Sequence, residues 1–369
     1  MDAGGCPKMI PAPTIRPRQP KRECWSLERL HHERALALGE AIDLSTRKNY
    51  GSALNSYLNF ILLHNLPVEP TDDTLSLYIV WTSHYIQPDS VETYLSGIAH
   101  QLEPHFPDVR RARASYLIKR TLRGCKRLKG TATHRKRALT LDDLGRVIAY
   151  YANSTDHDDL LFVSQLLSGF FALMRLGELT FPDDVSIRDW RKIIRDWRKI
   201  IRRDSVRVFL EWYEFFLPHH KADRYFEGNR VIVRRKQFHH DPPAHFNAYL
   251  ASRDRLFPLS SPLWITSTGQ VPTCSFFTRR LRIFFDNSVG GQSMRAGGTT
   301  SLAEHGVPPS IIQPLGRWSS EAYLVYVRKS PALIQAMLYS DRRFSQRPNS
   351  RSSSPTCSST AERPSSRRW

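Results

Sequence analysis

Apolar residues recur along the first third of the chain at helical spacing. Tyr50, Leu54, Tyr57, Leu58, Ile61 and Leu62 form one stripe on a helix that starts at Ser45. Pro67 and Pro70 follow it, and Thr71-Asp72-Asp73 caps a second helix carrying Leu75, Tyr78, Ile79 and Trp81. Beyond Gln87-Pro88-Asp89-Ser90, Val91, Tyr94, Leu95 and Ile98 line a third helix, which Pro104 and Pro107 break. A fourth runs from about Asp108 to Leu128, with Tyr116, Leu117 and Leu128 as its apolar side. Four short helices of this kind bury their stripes against one another as a small bundle.

The pattern then stops. Lys129 to Arg137 is polar, basic and unpatterned, which marks a linker between two domains. Thr140-Leu-Asp-Asp caps the next helix, and an apolar helical run extends from Leu160 to Leu179. Val206 to Leu217 is rich in β-branched and aromatic residues and reads as a strand, with Arg230-Val-Ile-Val233 as its partner. Residues 273–285 form an amphipathic helix with an arginine-rich outer side. The fold class is therefore mainly α with a small β-sheet. The expected divisions are 1–24 as a disordered basic arm, 25–128 as the helical domain, 129–138 as linker, 139–340 as an α+β domain and 341–369 as a disordered Ser/Arg-rich tail.

One feature interrupts this second domain. Ile187-Arg-Asp-Trp-Arg-Lys-Ile193 is followed at once by an identical heptad, Ile194 to Ile200. The unit is too short for a repeat array and reads as a tandem duplication in the coding DNA. An odd insertion inside a strand would turn every later side chain to the other face. As a bulged loop it costs little, and the loop is the expected placement.

Charge points to the partner. With 54 Lys and Arg against 35 Asp and Glu, the formal net charge of the 369 residues is +19, as expected of a protein that meets a polyanion. The fourth helix carries Arg110, Arg111, Arg113, Lys119, Arg120, Arg123, Lys126 and Arg127, and the linker adds Arg135, Lys136 and Arg137. Such a stripe suits a phosphate backbone; a solvated basic face is the alternative. The N-terminal arm, with Arg16-Pro-Arg-Gln-Pro-Lys-Arg22, is an import signal, a DNA-touching tail or simply solvated. No apolar run reaches eighteen residues and no secretory h-region precedes the arm, so no membrane association is expected. The five scattered cysteines have no metal spacing, which fits reduced thiols in a nuclear or cytosolic compartment. His219, His220, His239, His240 and His245 lack carboxylate or cysteine partners at recognised spacing, so no metal is expected.

Candidate chemistry lies in a series of charged and aromatic motifs. Leu173-Met-Arg175-Leu-Gly-Glu178-Leu puts an arginine and a glutamate in an apolar run, where neither is buried without a partner or ligand. Lys221 follows in the turn Leu217-Pro-His-His-Lys-Ala-Asp223. Gln292-Ser-Met-Arg295, Leu315-Gly-Arg-Trp318-Ser-Ser and Tyr323-Leu-Val-Tyr326-Val-Arg complete the order. An arginine can hold a phosphate through two parallel N–H bonds, and a tyrosine can act as a covalent nucleophile in a cationic pocket.

That ordered set resembles the tyrosine recombinases, the phage-integrase superfamily. The wording Arg-Leu-Gly-Glu-Leu and Gly-Arg-Trp-Ser-Ser-Glu-Ala-Tyr-x-x-Tyr-x-Arg is most similar to the Crypton-type, transposon-derived eukaryotic DNA breaking-rejoining branch, over Ser45 to Tyr339. The resemblance implies an N-terminal SAM-like four-helix core-binding domain and a C-terminal catalytic domain that clamp double-stranded DNA. It implies a site-specific recombinase or integrase of the nucleus, working as a synapsed tetramer, with no cofactor. Tyr326 would attack the scissile phosphate, Arg175 and Arg295 grip its oxygens, Lys221 protonate the leaving 5′-oxygen and Trp318 wall the phosphate. Glu178 either orients Arg175 or makes a structural ion pair, and Tyr323 is the competing tyrosine. Leu333, Ile334, Met337 and Leu338 form a stripe suited either to a neighbouring copy or to the chain's own core. Gln292 departs from the family, which has histidine there; glutamine donates a hydrogen bond but cannot exchange a proton near neutrality. With the duplicated heptad, this keeps open a second reading, a catalytically impaired or domesticated DNA-binding protein on the same fold.

Overall fold

The computed structural model describes residues 23–131, 135–188, 200–220, 223, 227–235 and 241–320. The chain divides into two compact units, Met1–Ala132 and Thr133–Trp369.

In the first unit, α1 (Leu27–Gly39) was not anticipated from the pattern, and none of its residues is buried. It is followed by α2 (Leu44–His64), α3 (Asp72–Thr82) and α4 (Pro88–Leu102). Thr71 caps α3 as expected, accepting from the Thr74 N–H at 3.2 Å. The buried face of α2 is Ala53, Tyr57, Phe60 and Ile61, whereas Leu58 and Leu62 are exposed. Tyr57 and Tyr78 meet edge to face at 5.5 Å and anchor their hydroxyls on Val68 O and Ser56 Oγ. The predicted fourth helix is two: α5 (Val109–Arg113) and α6 (Tyr116–Lys129). Ser115 breaks them apart by capping α6 through the Ile118 N–H. The apolar side also differs, because Tyr116, Leu117 and Leu128 face solvent while Ile118 and Cys125 enter the core.

The second unit is built around α8 (His157–Phe171), which follows α7 (Leu141–Tyr151). Every residue from Leu161 to Phe170 is buried, the mark of a helix wrapped on all sides. Its polar groups are used internally: Gln165 Nε2 donates to Leu179 O at 2.7 Å, and Ser168 Oγ lies 2.8 Å from Tyr213 Oη. Beside it stands an antiparallel sheet of β1 (Arg207–Val208), β2 (Trp212–Leu217) and β3 (Asn229–Arg234). The expected single strand over Val206 to Leu217 is thus a turn between two strands, where the Phe209 N–H reaches Trp212 O and the two rings stack at 3.9 Å. Tyr213, Phe215, Leu217, Val231 and Val233 all point into the core. These two strands therefore give the core one apolar sheet face, and the placement of the duplicated heptad falls outside the described residues. Ile201 is buried, its carbonyl accepts from the Leu263 N–H at 2.8 Å, and Arg203 chelates Asp254 at 2.6–3.1 Å. Residues 189–199 lie outside the described set.

Further helices among the described residues are α9 (Leu176–Leu179), α10 (Pro242–Leu256), α11 (Cys274–Leu281), α12 (Gln292–Glu304) and α13 (Pro309–Leu315). The amphipathic helix expected over 273–285 stops at Leu281 and continues as turns. Among the described residues, no helix is long and apolar enough to cross a membrane, and no cluster of metal-ligating side chains occurs. Cys24, Cys125 and Cys274 are free thiols.

A reciprocal cap fixes the start of α7. Asp143 N–H donates to Thr140 Oγ1 at 3.1 Å, and Thr140 N–H donates back to Asp143 Oδ2 at 3.0 Å. The buried carboxylate also takes Arg137 Nη1 at 2.5 Å and Arg146. Burial pushes the Asp143 carboxyl up, but hydrogen bonds from Arg137, the Thr140 backbone and Arg146 more than reverse this and hold it at about 2. Such a depressed carboxylate adds stability that is full above its unfolded value near 4 and is lost as pH falls through about 2. In chemical denaturation across pH, Asp143→Asn is expected to flatten that acid-side slope between about pH 4 and 2. A slope equal to the parent's would assign the acid sensitivity to other carboxylates.

Candidate active site

The site begins where α8 ends. The expected continuous helix to Leu179 instead breaks after Phe171, and Leu173 adopts φ 51°. A leucine in the left-handed region costs free energy and persists only when its surroundings hold it there. The fully buried Leu173 side chain packs with Ala303 and Ile312, which supplies that hold. The turn leaves Arg175 extended, at the N-cap of the short helix α9 (Leu176–Leu179). Glu178 then folds back on it: Oε2 accepts the Arg175 N–H at 3.0 Å and Oε1 accepts Arg175 Nη1 at 2.9 Å. The Arg175 side chain stays 31% exposed, enough to present a guanidinium edge to a ligand, while Glu178 is 6% exposed.

α12 comes to this turn because two glycines let it. A Cβ on Gly297 would lie 2.1 Å from Leu139 O, and one on Gly298 would lie 2.0 Å from Phe170 O. Both neighbours are backbone, so the approach of α12 to α8 at Gly298, and to the segment before α7 at Gly297, requires glycine. At the N-terminal end of α12, Gln292 is exposed and Arg295 is buried. Arg295 Nη2 donates to Gly316 O, and its guanidinium lies 4.0 Å from the centroid of the Trp318 ring. That ring lies over Gly316, where a Cβ would meet Trp318 Cζ3 at 1.5 Å. The indole thus presents its face to Arg295, and a stacked guanidinium gains a cation–π contact.

Arg317 was left without a role by the sequence reading, though it sits inside Gly-Arg-Trp. It has φ 57° and a side chain only 7% exposed. Its Nη2 donates to Glu178 Oε2 at 3.2 Å and to Leu173 O at 3.3 Å, and Nη1 and Nη2 both reach Ala172 O at 3.4 Å. Burial lowers the Arg317 guanidinium from its ordinary value, and the Glu178 carboxylate opposes that shift. The only available signal was a cation directly before the tryptophan; its burial depends on a turn more than a hundred residues away.

Arg175, Glu178, Arg295 and Trp318 are thus gathered from three separated segments. Gln292 is drawn in as well, since its neighbour Gly291 packs so closely on Leu176 that a Cβ would lie 2.5 Å from Leu176 Cδ2. Lys221, Tyr323, Tyr326 and the stripe Leu333, Ile334, Met337 and Leu338 lie outside the described residues. The connection holding Lys221 is framed by the β2–β3 register, Leu217 opposite Asn229, and by Asp223, whose carboxylate accepts the Gly228 N–H at 2.9 Å.

The basic residues of the first unit fall into two groups. Lys119, Arg120, Arg123 and Arg127 are exposed along α6. Arg110 pairs with Glu103, Arg113 donates to Ser96 Oγ at 2.6 Å, and Lys126 holds both Asp89 (2.9 Å) and Glu92 (2.7 Å). After the linker, Arg135 is exposed, Lys136 donates to Asn287 O and Arg137 is engaged by Asp143.

No family model matches the chain, and no curated protein matches it by sequence. Solved structures do. XerH site-specific recombinase bound to a palindromic difH substrate, in a post-cleavage complex, is 12% identical, with 79% of this chain and 78% of that chain covered and a TM-score of 0.55. XerA recombinase gives 15% identity, 86% and 98% coverage and a TM-score of 0.41. The Tn1549 transposon integrase with circular intermediate DNA gives 11% identity, 81% and 99% coverage and a TM-score of 0.48. At these identities the likeness concerns the fold, and of these three the XerH match carries it. The chain has the mostly helical fold with a small three-stranded antiparallel sheet that is found in tyrosine recombinases.

Proposed function

We propose that this protein breaks and rejoins DNA strands as a tyrosine recombinase. The observation that supports this best is the convergence of Arg175, Glu178, Arg295 and Trp318 on the fold where that chemistry is known. Tyr326 attacks the scissile phosphorus, its phenolic proton passing to solvent, a 3′-phosphotyrosyl ester forms, and the bond to the 5′-oxygen breaks. Lys221 gives that oxygen a proton, so a free 5′-hydroxyl leaves and the ester retains the energy for rejoining. Arg175 and Arg295 stabilise the negative charge that grows on the non-bridging oxygens. In this reading the first unit is a SAM-like core-binding domain, which holds double-stranded DNA through Lys119, Arg120, Arg123 and Arg127. The active form is a tetramer on DNA, and the origin is a Crypton-type transposable element acting in the nucleus.

Covalent trapping tests the proposal. The parent chain and Tyr326→Phe are incubated with a pool of nicked duplexes of randomised sequence, and adducts that survive SDS are counted. An adduct with the parent, absent in Tyr326→Phe, is expected. Gln292 occupies the exposed first turn of α12, and histidine, unlike glutamine, can exchange a proton near neutrality. Gln292→His is therefore expected to raise adduct yield. No adduct from either chain, on DNA shown to bind, overturns the enzymatic reading and leaves a DNA-binding protein on this fold.

A further inference from the structure

Arg317 is placed unlike the other arginines of the site. Arg175 keeps an exposed edge, whereas Arg317 is closed in by its own partners. Its acceptors are the carbonyls of Ala172 and Leu173, on the turn that launches Arg175, and the carboxylate of Glu178 on α9. Glu178 Oε2 is shared between the Arg175 N–H and Arg317 Nη2, while Oε1 takes Arg175 Nη1. Arg317 therefore fixes the rotation of the carboxylate, and the carboxylate fixes the guanidinium of Arg175. The same residue holds φ 57°, a conformation unfavourable for a side chain with a Cβ. That conformation belongs to the turn between Gly316 and Trp318, which sets the indole on Arg295.

We infer that Arg317 is a positioning residue that orients Arg175 through Glu178 and does not itself contact the DNA. The inference rests on the recombinase reading for its kinetic consequence. A guanidinium misplaced by about 1 Å can cost on the order of 100-fold in rate. A phosphate contact would behave differently, because losing one lowers the salt dependence of DNA affinity.

Arg317→Gln is made in the parental and Arg175→Ala backgrounds, and single-turnover cleavage of a nicked duplex is measured with the salt dependence of binding. Cleavage is expected to fall about 100-fold in the parental background and to change little further in Arg175→Ala, with an unchanged salt slope. Equal losses in both backgrounds, or a shallower salt slope, overturn the inference. Should Arg317→Gln fail to fold, Glu178→Gln weakens the same link from its other side and is expected to show the same dependence on Arg175. A parental chain that forms no adduct overturns the recombinase reading alone. The inference is then read by the ¹⁵N resonance of the Arg175 Nη–H group that Glu178 Oε1 holds, expected to be slow in exchange in the parent and fast in Arg317→Gln. Identical exchange in the two proteins overturns it.

Discussion

Arg295→Ala is expected to slow single-turnover strand cleavage by about 100- to 1,000-fold, the usual loss when one preorganised donor to a developing charge is removed. Arg295 is nearly fully buried, and its guanidinium is held by Gly316 O on one side and by the Trp318 face on the other. A group fixed in this way pays little reorganisation when charge appears on a bound phosphate. Arg295→Lys should not rescue the rate. A lysine ammonium is a compact point charge, and it cannot lie flat against the indole while reaching Gly316 O and a phosphate oxygen. Removing the arginine also leaves Gly316 O without its donor, so the thermal midpoint is measured for each variant alongside cleavage. Cleavage within a few-fold of the parent by a folded Arg295→Ala chain would remove Arg295 from the site.

The second large effect is expected from a single added methyl. In Gly298→Ala the new Cβ would lie 2.0 Å from Phe170 O, and in Gly297→Ala it would lie 2.1 Å from Leu139 O. Neither acceptor is a flexible side-chain end, so α12 must move away from that neighbour or the backbone must distort. Overpacking of this kind costs about 1–3 kcal/mol, and here it also shifts Arg295, which rides on α12. Both variants should melt at lower temperature and cleave poorly at temperatures where they remain folded. Gly124 is the control: it lies within α6 with nothing within 4 Å of a built Cβ. Gly124→Ala should be neutral or stabilising by about 0.5–1 kcal/mol, because helix interiors disfavour glycine. A Gly298→Ala protein as stable as Gly124→Ala would mean that α12 and α8 are not held at this distance.

Much of the architecture is legible along the chain because local physics writes it there. Thr71 and Thr140 announce helix starts through side-chain oxygens that accept from the next turn. Val91, Leu95 and Ile98 name the core side of α4, and Val231 and Val233 that of β3. Arg175 and Glu178 can be picked out because charges amid an apolar run need partners, whereas Arg295 and Trp318 are picked out by the ordered motifs that resemble a known family. Spacing alone misplaces other elements. The stripe Tyr116, Leu117 and Leu128 is apolar yet exposed, because the break at Ser115 turns α6 so that Ile118 and Cys125 face inward. The apolar run to Leu179 looks continuous because apolarity does not record backbone dihedrals, and the left-handed Leu173 that splits it has no sequence signature.

The sequence by itself determined the chemistry available to this protein: a strongly basic chain, helices that must bundle, and an ordered set of phosphate-holding and nucleophilic residue types. Those properties belong to side chains and their near neighbours, so they survive being read one residue at a time. Only the tertiary structure decided which groups meet. Leu173 is held in its strained turn by Ala303 and Ile312, Gly298 sets how close α12 lies to α8, and Arg317 reaches across to Glu178. Each of these contacts joins segments more than a hundred residues apart, and its free energy exists only once a close-packed core has fixed both partners in place.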